Sequence, residues 1–136
     1  MWPQDTALPL HERREVPQRG PWSVKDGVVY AHALASALSR VIALRLHHDD
    51  SLLDTNTLRI LPGTHTRGVL SDDAIERLSR RIAAIDCLTP RGGILAMRPL
   101  IVHASSKSRS ATPRRVLHIE YTGSVALYDG LELAIS

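Results

Sequence analysis

The sequence predicts a mainly β domain with one or two flanking helices, and three observations predict it. Between Ala96 and Tyr121, the apolar runs Leu100 to Val102 and Val116 to Tyr121 flank a polar connection. Residues 104–113 of that connection hold four Ser, one Thr and one Pro, the composition of a loop. From Val41 to His47 the side chains alternate at the two-residue period of a strand. After Ser71 the apolar residues Ile75, Leu78, Ile82 and Ile85 recur at helical offsets instead.

Gly27 to Tyr30 reads as a short strand, and alanine-rich Ala31 to Arg40 as a helical piece. In Val41 to His47 the apolar set Ile42, Leu44 and Leu46 is the expected buried face. With the other set inward, Arg45 and His47 would line the interior, as strands of small barrels allow. Asp49 to Thr57 reads as a solvated polar loop; Asp49, Asp50 and Asp54 lack the spacing and glycine of a calcium loop. Leu58 to Leu61 is a strand running into Pro62-Gly63-Thr64, where fixed φ at proline and permitted positive φ at glycine reverse the chain. Ser71 is a good N-cap, with Asp72 and Asp73 placed to favour the positive helix end. Glu76, Arg77, Arg80 and Arg81 form the wet side of this helix, and Pro90 lies beyond its end.

A chain of 136 residues and 15.0 kDa fits one domain, able to bury roughly two-thirds of its unfolded surface. The sequence has no Phe, so its core draws on Leu, Ile, Val and Ala. No apolar run is long enough to span a bilayer, and the N-terminus lacks a signal-peptide pattern. The single cysteine, Cys87, suits a reducing cytoplasm and reads as a small core residue. A net charge of +3 invites a nucleic-acid reading, but the basic residues are scattered and no aromatics interleave with them. The expectation is therefore no nucleic-acid partner and no membrane partner.

Chemistry concentrates at two residues. His103 closes the first strand of the Ala96–Tyr121 stretch, and Arg114 opens the second, eleven residues later. A neutral imidazole binds transition metals, and a guanidinium clamps a carboxylate at two points. On adjacent antiparallel strands, the two would hold a metal and a chelating acid side by side. The plainer account is a strand-end histidine and a solvated arginine. Elsewhere, Gly92-Gly93 lacks a nucleotide fingerprint, and Ser105 and Ser106 form no nucleophile elbow. The remaining histidines show no zinc-like spacing with Cys87, and His118 reads as exposed.

Several segments together resemble one family. His103-Ala104-Ser105 with Arg114, the turn LRILPGTHTRG (Leu58 to Gly68) and the strand RGGILAMRP (Arg91 to Pro99) stand in the family's order. GPWSVKDG (Gly20 to Gly27) and LRLHHDD (Leu44 to Asp50) resemble segments of one bacterial branch. The family is that of the phytanoyl-CoA dioxygenases, within the iron(II) and 2-oxoglutarate-dependent oxygenases.

The resemblance implies a partial double-stranded β-helix, of jelly-roll or cupin-like type. Residues 1–136 would be a single unit, the C-terminal portion of the family barrel, with the N-terminal part of the family domain absent. It implies iron held by Asp5 and His103, 2-oxoglutarate bound by Arg114 and Ser105, ascorbate as an accessory reductant, and a small-molecule substrate. His65 falls on a structural histidine, and Gly93 on a place where an acidic residue is also seen. One position departs from the pattern: Trp2-Pro3-Gln4-Asp5 stands where the bacterial branch has W-H-Q-D, so Pro3 occupies the place of the first iron-binding histidine. Proline has no side-chain donor atom. An impaired oxygenase is the implied function, with a non-catalytic remnant, interaction module or truncated gene product as the alternative. His11 and His32 are the replacement donors nearest in sequence. Exposed strand edges would favour a homodimer or wider association.

Overall fold

The computed structural model describes residues 2–10, 22–25, 28–32, 35–53, 57–105 and 115–124. Among the described residues nine strands lie in three three-stranded sheets, and every pairing is antiparallel. The first sheet joins β1 (Ala7–Leu10), β3 (Val28–His32) and β2 (Trp22–Lys25) in that order. The second places β4 (Val41–His47) between β7 (Ile94–Met97) and β9 (Val116–Thr122). The third places β5 (Leu58–Ile60) between β6 (Ile85–Cys87) and β8 (His103–Ser105). The helices α1 (Ala35–Leu38) and α2 (Asp72–Arg81) accompany them, in the mainly β architecture that the sequence predicts.

Four details differ from the sequence reading. Leu100 to Val102 is buried but is not a strand. Pro99 offers no N–H to a ladder, and Ile101 N donates to Arg98 O at 3.1 Å, so the chain turns there. His103 therefore opens β8 rather than closing a strand. β8 and β9 are not neighbours either: β8 pairs with β5 in the third sheet and β9 with β4 in the second. The helical piece expected over 31–40 is one turn long, since Ala31 and His32 are taken up by β3.

The fourth difference concerns β4, whose better-buried face is Val41, Ala43 and His47, not Ile42, Leu44 and Leu46. Both sets can enter a core, and the second sheet decides which does. Ala43 packs with its ladder partner Met97 against Leu58 of the third sheet, with Ile60, Cys87, Leu95 and Ile101 around them. Arg45 and His47 share that inward side by alternation. The other side remains an apolar outer face on which Ile94, Leu117 and Tyr121 are exposed.

A second cluster carries α2. Ser71 caps the helix, its Oγ accepting from Ala74 N at 3.2 Å, as the sequence predicts. Ile75 is buried with Leu61 and Val102, and Leu78, Ile82 and Trp2 pack around them. Ile85 does not continue this stripe: it belongs to β6 and is 52% exposed. Fully burying a side chain such as Leu61 contributes about 1.5–3 kcal/mol, so this cluster anchors the turn beside it. Among the described residues no helix is long and apolar enough to cross a membrane.

Candidate metal centre

The centre is built on a turn. In Leu61-Pro62-Gly63-Thr64, Gly63 has φ 79° and ψ −7°, the values that a type II turn needs at its third position. Thr64, fully buried, donates its hydroxyl to Leu61 O at 2.8 Å and accepts from Val102 N at 2.9 Å. Leu61 N donates to Val102 O at 2.9 Å. Val102 is thus held on both backbone sides, and His103 follows it.

The N-terminal segment lies alongside. His103 N donates to Pro3 O at 3.1 Å, and Asp5 N donates to Pro99 O at 3.0 Å. Between these two links the Gln4 side chain turns the other way, to Gly68, Leu70 and Leu100. Trp2 packs on the α2 cluster, and the Arg59 guanidinium lies over its ring, 5.4 Å from the centroid. Arg59 in turn pairs with Asp86 across the ladder at 3.5 Å.

This docking brings Asp5 Oδ1 to 3.7 Å from His103 Nε2. The imidazole is largely enclosed, 12% exposed, and the carboxylate is 48% exposed. His103 Nδ1 lies 2.9 Å from Ile101 O. A carbonyl oxygen only accepts, so Nδ1 carries a proton, and in the neutral tautomer Nε2 offers a lone pair. Two acceptors then face a common space across a gap too long for a hydrogen bond between them. A positive charge between them, a proton or a metal ion, turns that opposition into attraction. With metal–ligand bonds of roughly 2.0–2.2 Å, both atoms reach one ion. The fixed Nδ1–H is the second interaction that orients most metal-binding histidines.

Among the described residues the donor set stops at two. Pro3, exposed on the same segment, contributes only its backbone carbonyl, which His103 N already uses. Among the described residues no group of three or more His, Cys, Asp or Glu converges. The described residues fit two positions of a metal centre, and none of them gives the third a side-chain donor.

The other residues named from sequence are dispersed. Ser105 is exposed, two residues beyond His103 on β8 and opposite Leu58. Arg114 and His11 lie outside the described residues, and His32 is described only as backbone of β3. His65 is exposed on the 3-10 turn Thr64–Arg67. It lines a cavity of about 210 Å³ with Ile60, Cys87, Leu95, Met97 and Ile101. Ile60 is the ladder partner of His103, but His103 itself does not line this mostly apolar space. Burial pushes the Cys87 thiol pKa up, with the Asp86 carboxylate adding to the effect. His118 is exposed, as the sequence predicts, and lies 3.4 Å from Glu120.

Two residues that position the site escaped the sequence reading. Thr64 was visible only as part of a turn, and Gln4 as the spacer between two motif positions. Nothing in their local pattern distinguishes them, since their partners lie 38 to 96 residues away.

Comparison with known proteins finds no match among curated proteins. Among solved structures, AviO1 from Streptomyces viridochromogenes Tue57 is 20% identical, with a TM-score of 0.56 over 91% of this chain. The likeness covers 47% of AviO1, so the chain spans about half the length of that neighbour. The family model for phytanoyl-CoA dioxygenase matches residues 11–116, a span that takes in the crossing strands, the Leu61–Thr64 turn and His103. A mainly β chain with this turn, this histidine and a match of that extent belongs to the phytanoyl-CoA dioxygenase family.

Proposed function

We propose that the chain is the C-terminal portion of an iron(II) and 2-oxoglutarate-dependent oxygenase barrel whose metal centre is reduced to Asp5 and His103. The observation that carries this reading is the 3.7 Å approach of a carboxylate to an imidazole whose other nitrogen is already committed. Family membership supplies the metal and cosubstrate: members use iron(II) and 2-oxoglutarate. When bound, the metal would supply dioxygen activation coupled to oxidative decarboxylation of 2-oxoglutarate to succinate, directed at an unactivated carbon of a small organic substrate.

The chain's own residues would do the rest. Asp5 and His103 would hold the ion, and the Ile101 carbonyl would keep the imidazole in its binding tautomer. Arg114, eleven residues after His103, would pair with the far carboxylate of 2-oxoglutarate, and Ser105 would add a hydrogen bond. The apolar cavity lined by Ile60, the ladder partner of His103, would exclude water. Ascorbate would serve as an accessory reductant, and the lone cysteine suits a cytoplasmic setting.

Pro3 sets the level of activity. Losing a residue that merely orients a ligand costs about 10–100-fold in metal affinity or activity, so losing a ligand costs more. That same residue favours a second reading, a non-catalytic member that keeps the fold as an interaction module. Succinate formation decides between them. Production that requires added iron(II) and 2-oxoglutarate, and that His103→Ala abolishes, supports the oxygenase. No succinate at any iron concentration, with the protein folded, supports the module.

A further inference from the structure

Gln4 is the most fully engaged polar side chain in the segment that carries Asp5. Its Nε2 donates to Leu100 O at 2.7 Å and to Gly68 O at 3.0 Å, and its Oε1 accepts from Leu70 N at 2.9 Å. Both amide hydrogens and the carbonyl oxygen are thereby used. Its three partners are backbone groups from the two elements that frame the centre. Gly68 and Leu70 follow the 3-10 turn, while Leu100 sits in the turn just before His103. One side chain thus ties the Asp5 segment to both walls at once.

We propose that Gln4 is the positioning residue of the cation site, setting how far the Asp5 carboxylate stands from His103. The proposal rests on reading Asp5 and His103 as that site. Without the amide, the segment keeps two backbone links, Pro3 O to His103 N and Asp5 N to Pro99 O, together with Trp2 packing. The two backbone links lie on the Pro99–His103 side, and Trp2 packs on the cluster of Leu61, Ile75 and Val102, as Leu70 does. Neither backbone link reaches Gly68 or Leu70, so without the amide Asp5 loses its nearest hydrogen-bonded tie to that wall. Asp5 is half exposed, and among the described residues its carboxylate has no ion pair besides that with His103. A displacement of about 1 Å is enough to spoil a site of this kind.

The chemistry of the clamp makes the role testable apart from packing. Methionine matches glutamine in length but cannot donate or accept these bonds. Glutamate keeps an acceptor for Leu70 N while setting a charged oxygen against two carbonyls. The experiment titrates Mn(II) into the full chain, alone and in a Pro3→His background, and follows thermal unfolding of each protein. Asp5→Asn and His103→Ala identify the site. The expected result is a 10–100-fold loss of Mn(II) affinity for Gln4→Met and Gln4→Glu, with cooperative unfolding retained. If Gln4→Met is not folded at the assay temperature, Gln4→Asn, which keeps the amide on a shorter arm, replaces it under the same criterion.

The failures are distinguishable. Mn(II) binding that depends on Asp5 and His103 but is unchanged by folded Gln4 variants overturns the positioning role alone. Mn(II) binding that ignores Asp5 and His103, or no binding even with Pro3→His, overturns the cation site and the role of Gln4 with it.

Discussion

Asp49 and Arg115 show how a residue that reads as solvated becomes structural. Asp49 Oδ2 accepts from Arg115 Nε at 3.0 Å and from Arg115 N at 2.7 Å, and Oδ1 accepts from Arg115 Nη2 at 3.1 Å. These bonds hold the Asp49 carboxyl pKa down to about 2. The depressed value fixes the sign: the contribution is complete above the unfolded value near 3.9 and is lost as pH falls toward about 2. Asp49→Asn is therefore expected to be less stable than the parent at pH 5 and to converge with it near pH 2, as denaturant melts at both pH values will show. The pair fixes the backbone at Arg115, one residue before β9 begins. At Pro3 the expectation runs the other way. Pro3→His adds the missing imidazole beside Asp5 and should tighten Co(II) binding by at least about 10-fold, read from its visible absorption. Unchanged binding would mean that position 3 does not face the ion.

At the scale of elements, the helix and the turn were both legible in sequence because their causes are local. Ser71→Ala removes the cap bond to Ala74 N and should cost about 0.5–2 kcal/mol, measured by chemical denaturation. The glycine before β7 has a cause that is not local. A Cβ on Gly93 would meet Thr89 Cγ2 at 2.8 Å and Pro90 O at 2.9 Å, so an acidic side chain does not fit here without a backbone shift. Gly93 O also accepts from His47 N at 3.0 Å, which ties β7 to the end of β4. Gly93→Asp should lower the melting temperature by several degrees, on the order of 1–3 kcal/mol of overpacking. A melt matching the parent would show that the loop yields freely. β4 marks the limit of pattern reading: its period was clear, yet the inward face was the one carrying Arg45 and His47. Apolar residues at Ile42, Leu44 and Leu46 made the opposite choice equally consistent with alternation.

Across the whole molecule, the second sheet leaves an apolar outer face. Ile94 is 62% exposed, Tyr121 53% and Leu117 47%, and ladder pairing sets Leu46 between Ile94 and Leu117. Edge strands and an open apolar face both promote association. The isolated chain is expected to self-associate with rising concentration, and light scattering that stays at 15.0 kDa throughout would contradict this. Changing Leu117 to Lys should shift the distribution toward monomer. The net charge of +3 is too small to oppose such contacts strongly at physiological salt.

The sequence by itself determined the mainly β class, the helix cap, the turn at Pro62-Gly63 and the spacing of Asp5, His103 and Arg114. Each of these depends on steric and hydrogen-bonding preferences within a few residues, or on a motif read in order. Only the tertiary structure decided that Asp5 lies 3.7 Å from His103, that β8 and β9 part into different sheets, and that Gln4 grips the backbone at Gly68, Leu70 and Leu100. Those outcomes depend on which surfaces meet once the sheets cover one another, and residues 96 positions apart carry no local trace of meeting.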